Sequence, residues 1–374
     1  MSKIKNFLVN GAIVLLSLSF FFLVLEFVVF RFILLASDYP KLDFAGGVVK
    51  YQPNQTGIYR VKNQIHARYR INAAGWNSGH GHYEKGAPAG KFRIAVIGDS
   101  YVEALQVNYD ESLAEQLENA LGRERFEVYR FGISGAPLSQ YLHIMRQEVA
   151  AYQPDLVVVI LIHNDFNESY QRAPGVVFAS SFLKIKIENH AVVAEMLPKP
   201  IPKRWHIALK ERSATWRYLA LRHQLRFQLL RDLFLESDRE AVYQANIDIS
   251  SLDENRVDNE LAADYIFREM QQWTNEHGAK LLLAMDGDRD AIHQGAASDA
   301  SNGVGPLSLN SLAKHVAQQH GIHFLDLHPI FKDDFAKNHQ MFNFDRDGHW
   351  NVYGHRVAAQ AIFQYIRDCR LAPL

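Results

Sequence analysis

The hydropathy of the chain changes character along its length. Nineteen residues, Phe7 to Leu25, pass without a charge, and the apolar run continues to Ala36 with only Glu26 and Arg31 interrupting it. From Tyr39 to Lys91, glycines, prolines and asparagines are mixed with short alternating pieces such as residues 67–72. That pattern predicts a stalk with a small β-rich packing element and no independent domain. From Arg93 the rhythm becomes regular. Ile94, Ala95, Val96 and Ile97 form an apolar run closed by Gly98, which reads as a strand buried on both faces. Asp110 or Ser112 can cap a helix bearing Leu113, Leu117 and Leu121. Phe126 to Gly132 is a second strand, Ser139 to Ala151 a second helix, and Leu156 to Ile162 the most apolar strand of the chain.

After Asn164 the alternation breaks, and it resumes near Leu261. A helix to His277, a strand Lys280 to Asp286, a helix Leu307 to Gln319, a strand His323 to Leu327 and a last helix after Trp350 complete the pattern. Strands and helices alternating at short spacing predict right-handed βαβ units, hence a doubly wound, three-layer α/β fold on a parallel sheet. The expected organisation is a cytoplasmic tip and anchor (1–36), a stalk and packing segment (37–91) and one large domain (92–374) with an insertion at about 166–259. No internal repeat is apparent.

Charge and length refine this picture. A chain of 374 residues, 48% hydrophobic with net charge -1, can bury a large core and offers no basic surplus for nucleic acid as a partner. The lone Cys369 forms no internal disulfide. An uncharged run of 19 residues can cross a hydrocarbon layer of about 30 Å. A cleaved signal peptide is the alternative, and the run is longer than the apolar core of about 7–15 residues usual for one, which favours an uncleaved anchor. With Lys3 and Lys5 before it, the positive-inside bias leaves the N-terminus in the cytoplasm and everything after about residue 37 outside. A single-pass protein of the plasma (inner) membrane is therefore expected, held by its N-terminal helix.

Candidate chemistry sits at the strand ends. Gly98-Asp99-Ser100 closes the first strand, Gly132-Ile133-Ser134-Gly135 follows the second, and His163-Asn164-Asp165 follows the third. Asp345-Arg346-Asp347-Gly348-His349-Trp350 lies near the C-terminus. In a parallel sheet the loops at the carboxyl ends share one edge. A serine there becomes a nucleophile only if an imidazole takes its proton and a carboxylate holds that imidazole's tautomer.

In the order of these four motifs, over residues 93–165 and 323–368, the chain resembles the SGNH (GDSL-type) serine hydrolase superfamily in a membrane-anchored bacterial form. The resemblance implies a flavodoxin-like SGNH hydrolase fold with Ser100 as nucleophile and His349 as base. It implies an oxyanion hole made by Ser100, Gly135 and Asn164, with no cofactor and no metal. Two departures stand out. The third motif reads Leu161-Ile162-His163-Asn164-Asp165, with His163 where many members have a small residue. The aspartate commonly three residues before the histidine is replaced by Arg346, leaving Asp347 at two and Asp345 at four. The Asp-x-His-Trp spacing resembles SGNH-like enzymes of polysaccharide acetylation and favours Asp347; Asp345 stays open.

What the resemblance implies is an extracytoplasmic (periplasmic) esterase or O-acyltransferase. Its substrate would be an acyl ester, with the O-acetyl groups of a surface carbohydrate foremost, and envelope polysaccharide machinery is its expected partner. A lipase, lysophospholipase or thioesterase at the membrane surface, and an inactive envelope scaffold, are the alternatives. Glu103, His163 and His355 read as structural or supporting residues. Asp286-Gly287-Asp288-Arg289-Asp290 has only a superficial likeness to a cation loop. Lys199 to Arg231 carries nine Lys/Arg against Glu211 alone, with Leu209, Trp216, Leu219 and Leu230 interleaved. This composition fits a basic amphipathic helix, on a solvated surface or against anionic lipid or polymer.

Overall fold

The computed structural model describes residues 2–87, 90–171, 178–203, 205–223, 243–244, 247–295 and 305–374. The chain divides into two compact units, Met1–Lys41 with Gly57–His66 and Lys203–Ser237, and Leu42–Thr56 with Ala67–Pro202 and Asp238–Leu374.

The second unit is built on five strands. These are β1 (Phe92–Gly98), β2 (Phe126–Gly132), β3 (Leu156–Leu161), β4 (Lys280–Met285) and β5 (His323–Asp326), in spatial order β5-β4-β3-β1-β2 and all parallel. Read in chain numbering this is the 2-1-3-4-5 order of doubly wound, flavodoxin-like sheets. β3 lies at the centre, and each of its six residues is fully buried. That position explains its unbroken apolar run, because a strand covered on both faces has no solvent side for polar residues. Each such Val, Leu or Ile contributes about 1.5–3 kcal/mol on burial.

Six longer helices accompany the sheet: α1 (Leu113–Leu121), α2 (Leu138–Gln147), α3 (Arg256–Glu276), α4 (Leu307–Gln319), α5 (His328–Asn338) and α6 (Val352–Asp368). The helix expected over Ser139 to Ala151 is divided, ending at Gln147 and followed by a 3-10 turn, Val149–Tyr152. α5 begins with Pro329 in its first turn, a helix-initiating position. Ahead of the sheet, Leu42–Ala45 pairs antiparallel with Val48–Tyr51, and Val48, Val49, Tyr51 and Trp76 are all fully buried. This β-rich segment is part of the core of its unit.

In the first unit, one helix, Ser2–Val24, continues as a π-helical segment, Leu25–Ile33. Residues Lys3–Ile33 are long and apolar enough to cross a membrane. Of the predicted basic helix, residues 205–212, 214–216 and 217–222 are helical, while residues 224–231 lie outside the described residues.

Candidate active site

Strand register aligns the loops. Gly98 is the partner of Gly132 across β1 and β2, Ile97 that of Val159 across β1 and β3, and Leu161 that of Met285 across β3 and β4. Ser100, Gly135, Asn164 and Asp286 therefore leave neighbouring strands at one sheet edge. Ser100 opens a single helical turn, Ser100–Glu103, whose N-cap Asp99 accepts from the Tyr101 amide at 2.9 Å. Ala104 ends the turn in the left-handed region, φ 52°, an arrangement that costs about 1 kcal/mol or more in a residue with a Cβ.

The last motif lies on a hairpin. Asn343–Phe344 pairs with Asp347–Trp350, and Phe344 pairs with Asp347, so Asp345 and Arg346 form the turn. In the extended segment Asp347 and His349 face the same side, as a period of two requires. Asp347 Oδ1 accepts from the His349 amide at 3.0 Å and from Nδ1 at 2.5 Å, while His349 Nε2 lies 2.8 Å from Ser100 Oγ. Asp345 sits at the hairpin turn.

Electrostatics follow the geometry. Burial pushes the His349 imidazole down, but the Asp347 charge and hydrogen bond outweigh it, with help from Asp99, and hold its pKa above the usual value. Burial pushes Asp347 up, and the His349 charge with two hydrogen bonds from that residue overcomes this and keeps it below the carboxylate range. Ser100 Oγ also lies 3.2 Å from Asp99 Oδ2, so its single proton has two acceptors, of which Nε2 is nearer. Burial raises the Asp99 carboxyl.

Two loops carry the candidate oxyanion donors. Gly135 has φ 75°, a conformation that suits glycine. The turn before it is fastened to the Ser100 helix, since Glu103 accepts the Ser134 amide at 3.0 Å, the Ser134 hydroxyl and the Tyr51 hydroxyl. Glu103 is 1% exposed, and burial raises its carboxyl against the hydrogen bonds it accepts. A Cβ on Gly132 would stand 2.1 Å from the Glu103 nitrogen, so only glycine lets β2 approach this helix. Asn164 precedes the short helix Asp165–Glu168. Asp165 in turn accepts the Ile162 amide at 2.7 Å and the Tyr141 hydroxyl at 2.9 Å, closing that loop on itself.

A further network holds the His349 hairpin. Arg289 pairs with Asp286 at 3.0 Å and donates to the Gly348 carbonyl at 2.7 Å and to the Tyr101 hydroxyl at 2.5 Å. Tyr101 also donates to Gly348 at 2.8 Å, its ring 5.1 Å from that of His349, and Trp350 Nε1 donates to Asp286 at 3.1 Å. Burial acts to lower the Arg289 pKa; Asp286 and Tyr101 outweigh it and raise the group above its ordinary value. The 286–290 stretch is thus engaged with its own neighbours: Asp286 holds Arg289 and Trp350, and Asp288 caps the helix Arg289–His293 through the Ala291 amide at 3.1 Å.

The two other histidines serve packing. His163, fully buried, meets Asn310 Oδ1 at 2.9 Å, and Asn310 bridges to the Asp286 carbonyl and the Asp326 carboxylate, each at 2.9 Å. His355 accepts the Leu113 amide at 3.2 Å, and burial drives its pKa down to about 3, so a neutral ring caps α1.

Residues 94–198 match the family model for GDSL-like lipase/acylhydrolase, and residues 249–373 match that for the SGNH hydrolase-like domain of the acetyltransferase AlgX. Both matches support the SGNH/GDSL superfamily. The two SGNH-type matches lie on either side of residues 199–248. No curated protein matches the chain. Among solved structures it is similar to the α/β hydrolase LAE5 from the metagenome of Lake Arreo, Spain, at 14% identity over 74% of this chain and 96% of that one, TM-score 0.40. It is similar to a lipase/acylhydrolase from Enterococcus faecalis at 14% identity over 76% and 98%, TM-score 0.38. It is also similar to a catalytic mutant of the acetylxylan esterase Axe2 from Geobacillus stearothermophilus at 13% identity over 74% and 95%, TM-score 0.41.

Sequence reasoning did not find the roles of Tyr101, Asp286 and Arg289. The contacts that join Tyr101 to Arg289, 188 residues apart, and Asp286 to Trp350, 64 apart, are announced by no spacing.

Proposed function

We propose that the protein is a membrane-anchored, extracytoplasmic SGNH-type esterase or O-acyltransferase that works through an acyl-Ser100 intermediate, with O-acetyl groups of a surface carbohydrate as its substrate class. The observation that carries this reading is the relay Asp347 Oδ1, His349 Nδ1, His349 Nε2, Ser100 Oγ, with separations of 2.5 and 2.8 Å.

His349 Nε2 takes the hydroxyl proton as Ser100 Oγ attacks the ester carbonyl carbon. The charge on the resulting oxyanion is met by the Ser100 and Gly135 amides and the Asn164 carboxamide, each worth about 3 kcal/mol in the transition state. The imidazolium is flanked by Asp347 and Asp99, whose charges both favour it. As the intermediate collapses, the ester C–O bond breaks and the leaving alcohol takes the proton from Nε2. Water or an acceptor hydroxyl then gives its proton to His349 and attacks the acyl carbon; the bond from that carbon to Ser100 Oγ breaks, and Oγ takes the proton back from Nε2. The AlgX-type match over 249–373 supports transfer of acetyl groups and a link to envelope polysaccharide machinery. The lipase/acylhydrolase match over 94–198 favours, as a second reading, a lipase, lysophospholipase or thioesterase at the membrane surface. The Lys3–Ile33 helix supports a single-pass anchor in the inner membrane, with the domain on the periplasmic side.

The test is intact-mass spectrometry after exposure to acetyl and long-chain acyl esters. An acetyl adduct on the wild-type chain, lost in a folded Ser100→Ala variant that also fails to turn over a short-chain aryl ester, is the expected result. A long-chain adduct in its place would favour the lipase reading. Near wild-type turnover by Ser100→Ala would overturn the mechanism.

A further inference from the structure

Several arginines gather where the apolar helix ends. Arg222 Nη1 donates to the carbonyls of Leu34 and Leu35, and Arg60 Nη1 donates to that of Ala36 at 3.2 Å. Arg31 bonds Glu26 and the Arg212 carbonyl, both at 3.4 Å. Glu26 caps the neighbouring turn, accepting from the Ala214 amide at 2.6 Å, the Thr215 amide at 3.0 Å and the Ser213 hydroxyl at 2.9 Å. Phe30 packs on Tyr218 with ring centroids 4.8 Å apart. Residues 213–222 of the insertion are in this way fastened to residues 26–35, the distal end of the apolar helix.

Height follows from length. At about 1.5 Å per residue, a hydrocarbon layer of about 30 Å takes about 20 residues, so a span beginning at Phe7 reaches its outer boundary at Glu26. Residues 26–36, π-helical to Ile33 and without helix from Leu35, carry the chain on through and past a headgroup layer of about 5–8 Å. Arg31 lies early in that rise, and Arg60 and Arg222, which hold the carbonyls of residues 34–36, stand at its far end.

Charge at this level is unbalanced. From Glu26 on, the described residues of this unit hold nine Lys/Arg (Arg31, Lys41, Arg60, Lys62, Lys203, Lys210, Arg212, Arg217, Arg222) and three acids, Glu26, Asp38 and Glu211. Arg60 and Arg222 repel one another; burial and this repulsion lower the Arg60 pKa, with Asp38 acting against them. Among the described residues, the buried Nε atoms of Arg60, Arg217 and Arg222 have no acceptor. Unmatched guanidinium N–H groups are costly in a protein interior and suit phosphate oxygens.

We propose that Arg60 and Arg222 form a binding site for the phosphate of an anionic phospholipid headgroup, seating the insertion on the outer leaflet. This rests on reading Lys3–Ile33 as an anchor. The test reconstitutes the full chain in vesicles of phosphatidylcholine with phosphatidylglycerol and follows two readouts, vesicle flotation and the lipids retained in native mass spectrometry. Wild type is expected to float and to retain phosphatidylglycerol over its bulk share by about threefold or more, since each arginine near the surface is worth about 1 kcal/mol. A double variant, Arg60→Gln with Arg222→Gln, should float equally and retain lipid in the bulk ratio, while Arg356→Gln with Arg367→Gln in the other unit should behave as wild type. Failure to float would remove the anchor reading and this proposal with it. Flotation with bulk-ratio retention by wild type would overturn the lipid site alone. Displacement of the lipid preference by millimolar inorganic phosphate would assign the arginines to free phosphate, and displacement only by dextran sulfate would assign them to a polyanionic polymer; either outcome refutes the lipid assignment.

Discussion

Replacing Asp347 by asparagine changes the charge beside His349 and little else. In the native hairpin the carboxylate receives Nδ1–H at 2.5 Å and the backbone amide of His349 at 3.0 Å. A carboxamide can turn its NH2 toward Nδ1, which moves the ring proton to Nε2 and points it at Ser100 Oγ, so the imidazole can no longer accept. In the other orientation the tautomer is right, yet the imidazolium loses its counter-charge. Two unit charges about 4 Å apart at an effective dielectric of about 20 interact by about 4 kcal/mol, and that loss is close to 10³-fold in rate. We expect kcat for a short-chain aryl ester to fall by about 10² to 10⁴-fold in Asp347→Asn, the range set by loss of the orienting carboxylate in other triads.

The pH profile gives an independent check. The base must be neutral to act, and Asp347 raises the His349 pKa, so wild-type activity falls as pH drops through that raised value. Without the carboxylate the imidazole is easier to deprotonate, and the acidic limb of kcat/KM should move to lower pH even as the plateau falls. Asp345→Asn, at the hairpin turn, should stay within about twofold, the size of an ordinary surface effect. A larger loss in Asp345→Asn than in Asp347→Asn, or an Asp347→Asn enzyme with near wild-type kcat and an unmoved acidic limb, would refute the reasoning.

Other substitutions probe the supports of the site. Asn164→Ala should lower kcat by about 10²-fold with little change in KM, because an oxyanion donor acts mainly in the transition state; an effect confined to KM would argue for substrate binding instead. Glu103→Ala strips the acceptor from the Ser134 amide and from the Ser134 and Tyr51 hydroxyls. Urea unfolding should show a loss of about 2–4 kcal/mol and kcat should drop by about tenfold at similar KM, with Glu103→Gln recovering most of both; an unchanged midpoint in Glu103→Ala would contradict this. Gly132→Ala forces a Cβ to 2.1 Å from the Glu103 nitrogen, a backbone atom that cannot swing aside. We expect at least about 3 kcal/mol of destabilisation, and a melting temperature equal to wild type would show that β2 and the Ser100 helix can separate.

The strands of the sheet were legible because their cause is local. A strand covered on both faces must be apolar throughout, and Leu156–Leu161 carries that requirement in six consecutive letters. Parallel strands put their carboxyl ends on one edge, so Ser100, Gly135 and Asn164 could be expected near each other from chain order alone. The preference for Asp347 over Asp345 rested on the Asp-x-His-Trp spacing, and the two-residue period of the extended segment Asp347–Trp350 is compatible with it. α5 was not anticipated; its stretch has no strong apolar periodicity, with only His328 and Phe331 buried.

What tertiary structure alone decided is the pairing of buried polar groups. His163 beside Asn164 could have faced the oxyanion loop, and it turns instead to Asn310, 147 residues away. The 286–290 stretch read as a weak cation loop, and it becomes the clamp on Gly348 once Arg289 reaches Tyr101. Glu103 sits three residues past Ser100 in any reading, but its hold on Ser134 exists only because Gly132 lets β2 come close. A buried charge or amide must find a partner, and sequence states that need without naming the partner, since the partner is chosen by which surfaces the packed sheet and helices bring face to face.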